Sequence, residues 1–138
     1  MNLFNLATER AIFTPSLEAK TKALSPTFYP ELEAEFNGFA GHVLISQHHF
    51  AEDWPTWEVH PAGDEFVTLI TGDITLVLWQ DQQEHALRLS TPSDFVIIPK
   101  GVWHTARVHS PTTMLFVTPG EGTKNAAAPE AGPIYRVT

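Results

Sequence analysis

The sequence predicts an all-β domain, closed as a sandwich or a barrel, and two observations carry that expectation. From Val43 onward, short runs rich in β-branched and aromatic residues alternate with turn-forming clusters. No segment of that stretch shows a long apolar period of 3.6 residues. The runs that fit strands are Gly41 to Phe50, Trp57 to His60, Glu65 to Ile70, Asp73 to Trp79, Glu84 to Ser90, Asp94 to Ile98, Trp103 to His109 and Thr112 to Thr118. Between them stand Thr71-Gly72, Asp81-Gln82-Gln83, Thr91-Pro92-Ser93, Pro99-Lys100-Gly101 and Ser110-Pro111, each a combination that favours chain reversal. Short strands at this spacing suit architectures that protect their sheet edges.

Before the strands, residues 1–40 form an N-terminal arm, interrupted by Pro15, Pro26 and Pro30, with room for one short helix over Ser16 to Leu24. Leu3, Phe4, Leu6, Ile12, Phe13, Phe28, Tyr29 and Phe36 are too many apolar residues for a free tail, so the arm is expected to pack on the barrel or on a partner subunit. Residues 41–119 make the barrel. Residues 120–138 read as a strap or tail rich in Gly, Ala and Pro, with Ile134 to Val137 returning as an edge strand.

A chain of 138 residues with 43% hydrophobic content supports one core and one domain. The absence of cysteine excludes disulfides, thiolate metal sites and cysteine nucleophiles, so any metal must be held by nitrogen and oxygen. A net charge of −8 repels phosphate backbones and anionic membranes, and Lys and Arg are scattered, which argues against nucleic acid and membrane partners. With no apolar run of membrane-spanning length and no signal-peptide pattern, the expected location is cytoplasmic.

The chemistry concentrates in two places. Glu58 and His60 lie two apart in a strand-like run, and a period of two puts both on one face. His60-Pro61-Ala62-Gly63 has the residues of a type I turn, which would bring Glu65 back beside His60. His104 follows the Pro99-Lys100-Gly101 turn at the start of an alternating run and must arrive from another strand. Two imidazoles and two carboxylates then make a ligand set for one divalent transition ion. Carboxylates offset the ion's charge and favour iron, manganese, zinc or nickel over soft copper(I), without choosing among the four. Glu58 is either the fourth ligand or an acid/base beside the metal.

Other candidates carry less. Adjacent His48 and His49 point to opposite faces of a strand, so at most one reaches the interior. His42, His85 and His109 lack ligand spacing. If Glu58 and His104 face inward, Trp57 and Trp103 face outward, toward the arm or a partner subunit. Glu65, Val67 and Leu69 share a face, as do His104, Ala106 and Val108, so the cavity around the ligands should be mostly apolar and suited to a small organic ligand. Glu52 and Asp53 read as solvated charges.

These residues resemble the two motifs of small single-domain cupins, G-x5-H-x-H-x3/4-E-x6-G and G-x5-P-x-G-x2-H-x3-N. His60, Glu65 and Gly72 match the second half of the first motif, and Pro99, Gly101 and His104 match the core of the second. Glu58 stands where the family's first ligand His would be, while Glu52, Ser93 and Val108 replace the leading Gly, the second Gly and the final Asn. The resemblance spans Val43 to Pro119. It implies a double-stranded β-helix, the jelly-roll barrel, with a divalent metal on Glu58, His60, Glu65 and His104 and a homodimer formed sheet to sheet. It further implies a metal-binding protein, an oxygenase-, isomerase- or lyase-like enzyme on a small oxygenated metabolite, with Glu58 as the catalytic candidate. A metal-independent isomerase or epimerase using His60 or His104 is one alternative. A non-catalytic small-molecule-binding or regulatory module is the other.

Overall fold

The computed structural model describes residues 1–130, so the edge strand expected over Ile134 to Val137 lies outside the described residues. Among the described residues nine strands, β1 (Glu9–Phe13), β2 (Ala19–Ala23), β3 (Val43–Phe50), β4 (Trp57–Val59), β5 (Glu65–Gln80), β6 (Gln83–Leu89), β7 (Phe95–Ile98), β8 (Trp103–Thr118) and β9 (Lys124–Ala126), curl into a jelly roll. One helix, α1 (Phe28–Glu35), covers part of it. No helix among the described residues is long and apolar enough to cross a membrane.

The ribbon of β5 and β8 organises everything else. These two 16-residue strands pair antiparallel from Phe66↔Val117 to Trp79↔Trp103. Thr71-Gly72 and Ser110-Pro111, read from sequence as strand-ending turns, instead face each other across the ribbon as a run of bulges between Leu69 and Ile74. Each pair of expected short strands is therefore one long bent strand. The bulge also flips the phase of β5: Glu65, Val67 and Leu69 are buried before it, Ile74, Leu76 and Leu78 after it. Both halves consequently line one core, with Leu89, Ile98, Ala106, Met114 and Phe116.

The helix expected over Ser16 to Leu24 is not formed. Ala19-Lys20-Thr21-Lys22-Ala23 has no apolar stripe at helical spacing, and it pairs as β2 with β1, which in turn joins β3 through Ala11↔Ile45. The helix lies later, with Pro30 in its first turn, where a missing N–H costs nothing. Phe28 and Leu32 of α1 pack with Ile12, Phe39 and Leu44 in a second apolar cluster. Thus residues 1–40 add two strands and a helix to the barrel's sheet.

Trp103 does turn away from the His104 side, as alternation requires, yet it is only 8% exposed within the single chain. It lies opposite Trp79 in the β5/β8 register, and Trp57 meets Trp79 edge-on at 6.4 Å. Both tryptophans, expected to face the arm or a partner subunit, thus lie beside Trp79 of β5. A half-buried apolar row lies elsewhere, along Ile45↔Val117↔Phe66↔Ile97 in register across β3, β8, β5 and β7, exposed at Ile97 and at Phe95, which stacks on Phe66 at 5.0 Å.

Candidate metal centre

All four sequence-selected donors meet: one ligand atom from each of Glu58, His60, Glu65 and His104 lies within 4.8 Å of the others. Three strands and one turn deliver them. β4 places Glu58 directly opposite His104 of β8, so these two are cross-strand neighbours. The turn after β4 is held by the Gly101 N–H donating to the His60 carbonyl at 3.0 Å, which joins the two motif segments. Glu65 opens β5, thirteen residues along the ribbon from the Leu78↔His104 pair. A flat ribbon would set such ends about 44 Å apart. His104 Nε2 and Glu65 Oε1 are 3.3 Å apart, so the bend at the Gly72 bulge is what closes the site.

Hydrogen bonds fix which imidazole atom faces the centre. His104 Nδ1 lies 3.0 Å from the Val102 carbonyl, which can only accept, so Nδ1 carries the proton. Thr123 Oγ1 donates to the Gly120 carbonyl, which leaves its oxygen to accept from His60 Nδ1 at 2.8 Å. In both neutral rings the Nε2 lone pair therefore points at the carboxylates. Thr118 donates its hydroxyl to Glu65 Oε2 and orients that carboxylate, while Glu65 Oε1 and His104 Nε2 are buried with no hydrogen-bond partner among the described residues.

The donor spacing fits a transition ion. Nε2 of His60 lies 3.2 Å from Glu58 Oε1 and 3.3 Å from Glu65 Oε2; Nε2 of His104 lies 3.5 Å from Glu58 Oε1. Bonds of about 2.1 Å require ligand–ligand separations of about 3.0 Å for adjacent octahedral positions and about 3.4 Å for tetrahedral ones. Lone pairs facing lone pairs at these distances call for positive charge between them. Two protons or one divalent cation would supply it.

The proton alternative sets the behaviour of the metal-free protein. Burial pulls both imidazoles down, but the Glu58 and Glu65 carboxylates outweigh it and hold His60 and His104 each at about 9. Burial pushes Glu58 up, and the two imidazoles outweigh it, leaving that carboxyl at about 2; Glu65 is lowered for the same reasons. A raised imidazole stabilises fully below its unfolded value of 6.5 and loses that contribution as pH rises through about 9. The lowered Glu58 contributes above 4.5 and loses it as pH falls through about 2. Metal-free protein is thus expected to be most stable between 4.5 and 6.5 and to weaken toward about pH 9, whereas metal, which displaces the protons, should bind more tightly as pH rises. Chemical denaturation of chelator-treated protein across this range checks it; a midpoint that climbs between about pH 6.5 and 9 contradicts it.

A cleft of about 720 Å³ opens above the donors. His48 is half-buried on its wall, and burial holds that ring below its ordinary value, while His49 is exposed and bonded to Thr113, in keeping with their opposite faces. His42, His85 and His109 bond to Ala40, Gln80 and Thr75, away from the cluster. Glu52 and Asp53, read as solvated loop charges, stand at the cleft mouth. Thr118 and Thr123 escaped sequence reasoning: a threonine in a strand or a Gly-rich strap carries no chemical signal until its neighbour is known.

No protein-family model and no curated protein matches the sequence. Solved structures do match in shape. Oxalate decarboxylase OxdC of Bacillus subtilis, a cupin superfamily member, is similar in a mutant form with a TM-score of 0.52 at 12% identity, over 61% of this chain and 23% of that one. The chain has a cupin fold. A cupin-2 domain protein of Shewanella frigidimarina gives 0.48 at 18% identity, covering 56% of this chain and 70% of that one. Peruvianin-I, described as a cysteine peptidase from Thevetia peruviana latex, gives 0.51 at 21% identity, over 59% of this chain and 54% of its own. The chain has no cysteine, so such likeness transfers architecture and not activity.

Proposed function

We propose that the protein is a metal-binding cupin that holds one divalent transition ion on Glu58, His60, Glu65 and His104 and acts on a small oxygenated metabolite in the cleft above it. The observation that carries this reading is the pair of Nε2 lone pairs fixed toward two carboxylates by Val102 and Thr123. Bound there, a metal supplies Lewis acidity or oxygen activation. The chain's own residues supply the rest: two carboxylates that neutralise the ion, a cleft with an aromatic wall of Phe50, Trp54 and Phe116 that can hold a small molecule beside it, and Glu58. Glu58 is the donor with the most solvent access, its side chain 27% exposed against 7% or less for the others. It is therefore the member of the set best placed to exchange a proton with a substrate.

Glu58→Gln distinguishes the roles. As an acid/base, Glu58 leaves metal content intact when replaced, and turnover falls by about a hundredfold or more. As a ligand, it takes metal affinity with it. Screening oxygenated metabolites for turnover, with and without oxygen, tests catalysis itself; a stabilising ligand in thermal shift with no compound consumed would leave a binding module.

We further infer a homodimer through the uncharged Ile45, Val117, Phe66, Ile97 row, where Phe95 is 58% and Ile97 49% exposed. Light scattering at micromolar concentration is expected to give twice the 15.3 kDa chain mass, and a 15.3 kDa particle would remove the dimer.

A further inference from the structure

We propose that the cleft selects an aromatic oxygen chelator whose far end is neutral or cationic, and rejects molecules with a carboxylate or phosphate tail. The inference rests on the metal reading above and adds the class of ligand. Its first support is the wall. Phe50, Trp54 and Phe116 stand with ring centroids between 5.2 and 6.1 Å of one another, and His48 adds a fourth ring 5.4 Å from Phe116. Trp54 reaches His104 at 6.2 Å, so the aromatic wall begins at the donor cluster itself. A flat ring offers such a wall more contact than an aliphatic body of equal size. Trp54 Nε1 is buried with no acceptor among the described residues, a donor suited to a ligand oxygen.

The second support is charge. Among the described residues no Lys or Arg lines the cleft, whereas Glu33, Glu52 and Asp53 stand exposed around its mouth. A divalent ion would cancel Glu58 and Glu65 but not these three. Arg10 influences Tyr29 and His48 on the wall, yet it contributes no atom to the lining and its guanidinium is turned to the Leu6 carbonyl at 2.6 Å. An anionic tail entering here meets carboxylates without a compensating Lys or Arg among the described lining residues, and its desolvation is poorly repaid. An ammonium meets the opposite field. At the floor, Glu65 is 2% exposed with an unpartnered oxygen, which marks the cleft as a ligand site independently of the acidic mouth.

Catechol, dopamine and protocatechuate share a ring and adjacent oxygens and differ in the charge of the tail. Calorimetric titration of metal-loaded protein, with metal content measured on the same sample, is expected to show dopamine binding at least as tightly as catechol and protocatechuate at least about tenfold more weakly. The E33Q/E52Q double variant, altered at two exposed positions, should narrow the dopamine–protocatechuate gap by about threefold. Phe50→Leu should weaken catechol by about tenfold with metal retained, and it spares Trp54, whose loss endangers folding. Protocatechuate binding as tightly as catechol, or no probe binding at full metal occupancy, overturns the proposal. Loss of the metal to catechol through gel filtration counts against it equally. Failure of the protein to load metal is seen before any titration and overturns the metal reading instead.

Discussion

Replacing His104 by alanine is expected to abolish tight metal binding while leaving a folded barrel. His104 is fully buried, contributes one of the four donors and is held in its productive tautomer by the Val102 carbonyl. Loss of an outer-layer partner of a metal ligand typically costs 10- to 100-fold in affinity, so loss of the ligand itself should exceed about a hundredfold. The fold survives because the barrel core of Val67, Leu69, Ile74, Leu76 and Met114 is made without it. The stability cost should be about 1–3 kcal/mol, that of a buried truncation in contact with Trp54. Metal affinity by competition with a chelator dye, paired with circular dichroism, separates the two effects. Unchanged affinity in a folded variant would show that His104 is not a ligand.

Gly72→Ala should be the most damaging single change outside the site. Gly72 has φ +114°, where a side chain is strained, and a Cβ there would stand 2.5 Å from the Thr112 Cα and 2.6 Å from the Pro111 carbonyl oxygen. Backbone atoms cannot yield as a flexible side chain does. Strain of about 1–3 kcal/mol and overlap of about the same size together approach the whole stability of a marginal domain. Because the same bulge bends the β5/β8 ribbon and brings His104 to Glu65, metal affinity should fall with stability. Denaturant titration checks the first and chelator competition the second; a variant as stable as the parent would mean that the bulge does not close the barrel.

Gly72 also shows where sequence reasoning reaches and where it stops. Its place in the Glu65-x6-Gly72 spacing was legible, and so was the convergence of Glu58, His60, Glu65 and His104, because strand alternation and a tight turn are local rules. That Thr71-Gly72 and Ser110-Pro111 are facing bulges and not turns was not legible: a break in alternation is the same in sequence whether the chain reverses or kinks. The arm failed for a related reason. Pro30 was read as an interruption, whereas a proline in a helix's first turn marks a start, and Ala19-Lys20-Thr21-Lys22-Ala23 became a strand only because β1 offered it an edge. Thr118 and Thr123, which orient Glu65 and His60, depend on separations of 53 and 63 residues that no short motif encodes.

The central claim is that these four side chains hold a metal ion. Elemental analysis of protein purified without a polyhistidine tag, then reconstituted separately with iron, manganese, zinc and nickel and desalted, tests it most directly. Close to one equivalent per chain is expected for at least one of these ions. Less than about a tenth of an equivalent with every one of them would contradict it, and would leave His60 and His104 as a proton-sharing pair with Glu58 and Glu65.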